Sequence, residues 1–337
     1  MQLKTGVLLV NLGTPDSSSV PDVRRYLKEF LLDERVIDIP TVQRNLLVRG
    51  IIAPFRAPKS AKLYEQIWRP EGSPLMIYSK LLMSKLQVML GEHYSVELAM
   101  RYQNPSIESG LENLRNKNCN RIIIVPLFPQ FASASNGSVV QKAMSIIKNW
   151  GAIPDVHFTG PFFDHPLFIK GFVENGKKYD PEKYDHMLFS FHGIPERQIL
   201  KSVPQNNCLT ASCCDNLHEK NYLCYRAQCF ATARYIAAGL NIPKEKYTIS
   251  FQSRLGKTPW IKPYSDKVIE ELAQKGVKTI LAFSPAFVAD CLETIYEIGE
   301  EYNTAFKEMG GEKIQLVESL NDGDIFVSCL KEIIYKS

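Results

Sequence analysis

The stretch 188–197 reads LFSFHGIPER, and its chemistry sits at His192. An apolar run stops there, and Gly193 and Pro195 then turn the chain. Imidazole is the side chain most easily tuned for proton transfer near neutral pH. A strand ending on it presents it at the edge of an open α/β sheet where ligands bind. The plainer alternative is a histidine that only caps a turn. A second set of reactive groups lies in ADCLETIYEIGEEY, 289–302. At about 100° per residue, Asp290, Glu293, Glu297 and Glu300 share one helical face and Leu292, Ile295 and Ile298 the other. Such a row is either a solvated acidic face or a track along which protons or cations move. His192 with Glu293 suits a divalent cation or a proton relay. Two ligands do not make a permanent metal site; they suit brief handling of a metal to be delivered elsewhere. A third set is Cys208, Cys213, Cys214, Cys224 and Cys229, five of the eight cysteines. Cys119, Cys291 and Cys329 stand alone. In a cytosolic chain such a cluster points to metal rather than to disulfides.

Positioning these groups falls to alternating strands and helices, the α/β signature. Strands are predicted at 7–11, 97–101, 121–125, 187–191, 247–252 and 279–283. A helix is predicted over 20–32, where Val23, Tyr26, Leu27, Phe30 and Leu31 follow helical spacing, and another from about Val139. The halves echo each other. VNLGTP (10–15) matches SFHGIP (190–195), and IIIVPLF (122–128) matches ILAFSPAF (280–287). The strand before MRYQNP (100–105) has its counterpart before QSRLGKTP (252–259). The expectation is two similar Rossmann-like domains, each a parallel sheet flanked by helices, with a cleft between them. Leu12 then holds in one half the place of His192 in the other, an apolar wall opposite a polar one. The expected domains are 1–155 and 156–310, the second with a cysteine-rich insertion at 206–229. A segment 311–337 is expected to pack back on both.

The 337 residues suit two domains, and 45% hydrophobic with 23% charged residues is ordinary globular composition. A net charge of +4 with scattered Lys and Arg gives no nucleic-acid footprint. Neither half carries GxGxxG or GxxxxGKS, so no nucleotide cofactor is expected. No apolar run approaches a membrane span. The start, MQLKTGVLLVNLGTP, lacks a signal-peptide pattern, and the cytoplasm is the expected location. NLLVRGIIAPF (45–55), with Arg44, Arg49 and Arg56, reads first as a core helix. The alternative is an apolar lip that touches a hydrophobic substrate or, peripherally, the inner membrane.

The chain resembles the ferrochelatases, which insert ferrous iron into a porphyrin. The likeness runs through LLVNLGTPDS, KLYEQIW, GSPLMIYS, MRYQNPSI, PLFPQFASASNGS, LFSFHGIPERQ, FQSRLGKTPWIKPYSD and ADCLETIYEIGEEY, in that order. The Asp-Cys-Leu-Glu-Thr and His-Gly-Ile-Pro forms resemble the Gram-negative branch; others carry His where Cys291 stands, so Cys291 need not be a ligand. The resemblance implies a porphyrin cleft, His192 as active-site histidine and Glu293 as its partner, the two meeting the substrate iron. Asp290, Glu293 and Glu297 would carry protons away or guide iron in. Leu12, Arg101, Tyr102, Ser253, Trp260 and Phe287 match cleft positions that would grip and bend the macrocycle. The expected reaction is insertion of Fe2+ into protoporphyrin IX with release of two protons. Its alternatives are a porphyrin- or haem-binding redox sensor without catalysis, and a chelatase for another tetrapyrrole such as coproporphyrin.

The resemblance also bears on the cysteines. Some ferrochelatases hold a two-iron, two-sulfur cluster, and a bacterial subset resembles this chain in holding it within an internal cysteine-rich segment. Four thiolates are the usual set, drawn here from Cys208, Cys213, Cys214, Cys224 and Cys229. Adjacent Cys213 and Cys214 are not expected to point the same way, so one of them ligates. Structural zinc is the rival occupant. The implied role is structural or sensory, not supply of the substrate iron.

Overall fold

The computed structural model describes residues 4–203, 208–210, 212–254, 256 and 258–337. Two four-stranded sheets, parallel throughout, carry the chain. The first is ordered β2-β1-β3-β4 and consists of β1 (Lys4–Gly13), β2 (Tyr94–Tyr102), β3 (Cys119–Pro126) and β4 (Asp155–Phe158). The second is ordered β6-β5-β7-β8 and consists of β5 (His186–His192), β6 (Tyr247–Gln252), β7 (Thr279–Phe283) and β8 (Lys313–Leu316). The orders are the same, with β5 in the place of β1. The internal repeat read from short sequence matches is therefore a repeat of topology, with Leu12 next to last in β1 and His192 last in the equivalent central strand β5.

Parallel strands are covered on both faces and read as continuous apolar runs. Val7 to Val10 of β1 are fully buried, as are Leu188, Phe189 and Phe191 of β5. Flanking helices follow local rules. Helix Val20–Leu32 starts at Ser19, whose hydroxyl accepts from the Asp22 backbone N–H, and it buries Val23, Tyr26, Leu27 and Leu31. The edge strands β4 and β8 escape the sequence reading. Each has four residues; β4 alternates exposed with half-buried positions and β8 buries only Ile314, so neither shows an apolar run.

The chain divides into two units, one of residues Met1–Phe128, Ala132–Gly160 and Asp322–Ser337, the other of Pro129–Phe131 and Pro161–Asn321. This corrects the expected boundary at 155, which cuts through β4. It also corrects the expected tail. Residues 313–316 complete the second sheet, whereas helix Asp324–Tyr335 belongs to the first unit. There Lys85 pairs with Asp322 and Asp324, and Tyr335 packs on Tyr94.

The run 45–55 is not a core helix. It forms a π-helix, Leu46–Ile52, that continues into helix Ala53–Ile67. Val48 and Ala53 are buried, but Val42, Leu46, Ile51 and Phe55 stand 58–73% exposed. Arg49 and Arg56 are exposed beside them, while Arg44 turns inward to the carbonyls of Ile37 and Ile39. Among the described residues, no helix is long and apolar enough to cross a membrane.

Candidate active site

His192 is the last residue of β5, at the carboxyl end of the second sheet, with Gln252 as its register partner on β6. Gly193 makes the turn possible. A Cβ there would lie 2.8 Å from the Gln252 carbonyl oxygen and 3.2 Å from the Trp260 ring. The Gly193 N–H donates to that same carbonyl at 2.9 Å. Phe287 meets the imidazole edge-on, with ring centres 6.2 Å apart. The carbonyl of His192 accepts a 2.8 Å hydrogen bond from the Tyr225 hydroxyl. Two aromatic side chains and two backbone contacts thus set where the imidazole stands.

The acidic segment is a helix, but a π-helix, Leu292–Tyr302. Cys291 caps it, with its N–H donating to Thr294 Oγ1 at 3.0 Å. Burial, then the Glu293 charge, pushes the Cys291 thiol well above its ordinary range. A π-helix closes i→i+5 bonds and takes about 4.4 residues per turn, so residues four apart nearly line up. Glu293, Glu297 and Glu301 therefore form the row. Glu300, expected there from a 100° period, turns away. Glu297 and Glu301 line a cavity of about 200 Å³ with Ser253, Arg254, Asp266 and Tyr302. Burial, then the nearby Glu297 charge, raises the pKa of Glu301. Glu301 is the cavity-lining carboxylate that the helical-wheel reading missed.

Glu297 is held from three sides. Its Oε2 accepts from Ser253 Oγ at 2.6 Å and Gln252 Nε2 at 3.0 Å, and its Oε1 accepts from the Tyr302 hydroxyl at 3.0 Å. Ser253 keeps a left-handed backbone, φ 65°, which a non-glycine residue rarely adopts. Strain of this kind concentrates at functional sites, and here it accompanies a hydroxyl bonded to Glu297.

Three expected site residues are placed otherwise. Asp290 precedes the helix and is buried. Its Oδ1 accepts from Thr294 Oγ1 and the Ser319 N–H, and its Oδ2 from Asn321 Nδ2. It pins the helix start to the segment after β8 and does not extend the carboxylate row. Tyr102 is fully buried and Arg101 lies over its ring. Both bond Asp33 Oδ2, at 2.9 and 2.6 Å, and Ser138 Oγ donates to the same oxygen at 2.5 Å. A buried carboxylate needs such partners, and these residues supply them within the first unit. Leu12 is half-buried at the end of β1, its N–H bonded to Asn11 Oδ1.

The sequence profile described as Ferrochelatase matches residues 4–337. The chain belongs to the ferrochelatase family. It is thereby a metal-chelatase enzyme. A ferrochelatase of Legionella pneumophila (strain Lens) is 44% identical over 332 residues, covering 98% of this chain and 99% of that one. A ferrochelatase of Coxiella burnetii (strain Dugway 5J108-111) is 42% identical over 343 residues, covering 99% and 94%. Among solved structures, SirB from Bacillus subtilis with Fe3+ matches with TM-score 0.53 at 11% identity, covering 99% of this chain and 95% of that one. CbiX, the terminal enzyme of sirohaem biosynthesis in denitrifying bacteria, matches with TM-score 0.50 at 10% identity, covering 98% and 99%. These two likenesses show the two-unit α/β chelatase fold.

In this member of the ferrochelatase family, four of the clustered thiols meet. The sulfurs of Cys213 and Cys214 lie 3.5 Å apart, so the adjacent pair does point the same way. Cys224 caps helix Tyr225–Gly239 and hydrogen-bonds both Cys214 and Cys208. The Cys214 bond, with the backbone N–H groups of Ala227 and Arg226, holds the Cys224 thiol below its usual range; Cys214 is raised correspondingly. Arg226 Nη1 lies 3.5 and 3.2 Å from the Cys213 and Cys214 sulfurs. Cys229 is set apart, fully buried inside the helix and bonded to the Tyr225 hydroxyl. Four thiols match a four-thiolate site in kind and number. Their sulfurs touch as thiols, and among the described residues no three His, Cys, Asp or Glu side chains stand in a ready-made metal geometry.

Proposed function

We propose that this enzyme inserts Fe2+ into protoporphyrin IX, yielding protohaem and two protons. The observation that carries the reading is the placement of His192 beside Gln252, whose amide bonds the helix bearing Glu293, Glu297 and Glu301. Metal entry requires the two pyrrole N–H groups to lose their protons. A neutral imidazole at His192 accepts a proton or meets the iron, since one lone pair does not do both at once. Glu293 is its partner at the inner end of the row. Glu297 and Glu301 continue the row to the cavity, an acidic path for protons leaving or iron arriving. Phe287 and Trp260 beside His192 offer flat apolar contacts to a macrocycle, and bending that ring exposes its nitrogen lone pairs.

The test is an anaerobic assay of purified protein with ferrous iron and protoporphyrin IX. Wild type forms haem, and His192→Ala loses at least a hundredfold in kcat, the order of a general acid–base contribution. Equal rates for the two proteins overturn the reading. Coproporphyrin as the better substrate replaces protoporphyrin within it.

The thiols of Cys208, Cys213, Cys214 and Cys224 are proposed to hold a two-iron, two-sulfur cluster, with zinc as the rival occupant. When bound, the cluster supplies a rigid, redox-active cross-link of the cysteine segment. The exposed Val42, Leu46, Ile51 and Phe55, flanked by Arg49 and Arg56, are proposed to rest on an anionic membrane surface.

A further inference from the structure

Gln252 is 1% exposed, yet every polar atom of its side chain is used. Its Oε1 accepts from Ser190 Oγ at 2.7 Å. Its Nε2 donates to the Glu293 carbonyl at 2.9 Å and to Glu297 Oε2 at 3.0 Å. The amide can face only one way, because the reverse would set an oxygen against two acceptor oxygens. Three fully buried serines reinforce this direction. Ser265 Oγ lies 2.9 Å from Ser190 Oγ and 2.8 Å from Ser250 Oγ. With the Ser190 proton committed to Gln252, the Ser265 proton goes to Ser190 and the Ser250 proton to Ser265. The hydroxyls thus run in one direction from the sheet interior to the amide.

The same residue is the register partner of His192, and its carbonyl accepts the Gly193 N–H. Gln252 therefore holds the histidine turn by its backbone and the carboxylate helix by its side chain. We propose that Gln252 is a positioning residue, its amide setting the Glu293–Glu297 row against His192 for metal handling. Backbone and side chain act through one residue, so the turn and the helix cannot shift independently. The charges around Glu297 are Glu293 and Glu301 on its own helix, Asp266 on helix Ser265–Gln274, and Arg254, which pairs with Asp266 at 2.9 Å. With that cation committed to Asp266, the donors seen on Glu297 are the amide and two hydroxyls.

The inference rests on the iron-insertion reading above, and its test separates the two. Gln252→Met keeps the length of the side chain and removes both halves of the amide. Ferrous titration of the protein alone under argon, and steady-state kinetics with both substrates, are compared with wild type. The expected result is ferrous affinity weaker on the order of tenfold, with the iron KM raised to match and the porphyrin KM unmoved. Ser190→Ala, which removes the donor to the amide oxygen and loosens the side chain, shifts the same constants in the same direction by less. Unchanged ferrous constants overturn the proposal. So does a lowered Tm with both KM values displaced together, which would make Gln252 merely structural. Wild type that binds ferrous iron, loses affinity in Gln252→Met and yields no haem leaves the positioning role standing and overturns the haem-forming reading instead.

Discussion

The hydroxyl of Tyr225 donates a 2.8 Å hydrogen bond to the carbonyl of His192. Tyr225 directly follows Cys224, so the cysteine segment is tied to the backbone of the histidine turn. Tyr225 also bonds the Cys229 thiol, and burial pushes its own pKa well up, so it stays a neutral donor. Tyr225→Phe leaves a buried carbonyl with one partner fewer, a cost of about 1–3 kcal/mol. The expected outcome is a Tm lower by several degrees and a several-fold lower kcat for metal insertion. Thermal unfolding and the anaerobic assay check both, and full activity in Tyr225→Phe contradicts the role.

Gly193→Ala places a methyl group 2.8 Å from the Gln252 carbonyl oxygen, with the Trp260 ring behind it. Backbone cannot yield as a flexible side chain does, so β5 and β6 must part at their carboxyl ends. Overpacking of this kind costs about 1–3 kcal/mol. The folded protein is expected to lose at least tenfold in kcat, because the same shift moves His192 and Gln252. A variant with wild-type kinetics would show that the turn tolerates displacement.

His186 opens β5, buried, with its ring nitrogen 2.9 Å from Thr248 Oγ1. Burial, and then the Lys275 and Lys246 charges, push its pKa down from 6.5 to about 4. The folded pKa lies below the unfolded one, so the unfolded chain binds the proton more readily. The stability of the neutral form is complete above pH 6.5 and is lost as pH falls toward 4. Urea midpoints measured across that window are expected to drop for wild type and to flatten in His186→Gln. Parallel curves for the two proteins would exclude His186 as the cause.

Serine replacements of Cys208, Cys213, Cys214 and Cys224 are each expected to abolish the visible absorption and iron content of the anaerobically purified protein. Cys229→Ser is expected to keep both, since that thiol serves Tyr225 inside the helix. Loss of the chromophore only in Cys229→Ser inverts the ligand set. A colourless wild type with one zinc per chain assigns the four thiols to zinc.

Leu46→Glu with Phe55→Glu removes two apolar side chains that stand 70% and 73% exposed. Wild type is expected to sediment with anionic phospholipid vesicles, and the double variant to stay in the supernatant with its Tm unchanged. Equal sedimentation of the two assigns the binding to another surface.

Much of this was legible beforehand. Strands β1, β3 and β7 announced themselves as unbroken apolar runs, as parallel strands covered on both faces do, and β2, β5 and β6 as strand-like runs interrupted by Glu97, by Ser190, and by Thr248 and Ser250. His192 stood out because it ends a strand at a Gly-x-Pro turn, and Leu12 because it precedes the matching Gly-x-Pro in the equivalent strand. The row of carboxylates was legible in kind but not in membership. Whether Glu300 or Glu301 joins Glu293 and Glu297 depends on turn width, and a π-helix has the same residue preferences as an α-helix over so short a stretch. The partners of Asp290 and Tyr102 were hidden for a different reason. A polar side chain reads alike whether it faces a ligand or a buried partner, and those partners, Asn321 and Asp33, lie far along the chain.

The sequence by itself determined the strand–helix alternation, the repeated halves, the histidine turn and the gathering of cysteines, because each is a local pattern. Only the tertiary structure decided that Gln252 joins the histidine strand to the carboxylate helix. It likewise decided that Cys229 leaves the other thiols, and that Val42, Leu46, Ile51 and Phe55 face solvent. Each of these depends on which distant groups a buried or exposed side chain meets, and spacing along the chain carries no record of that.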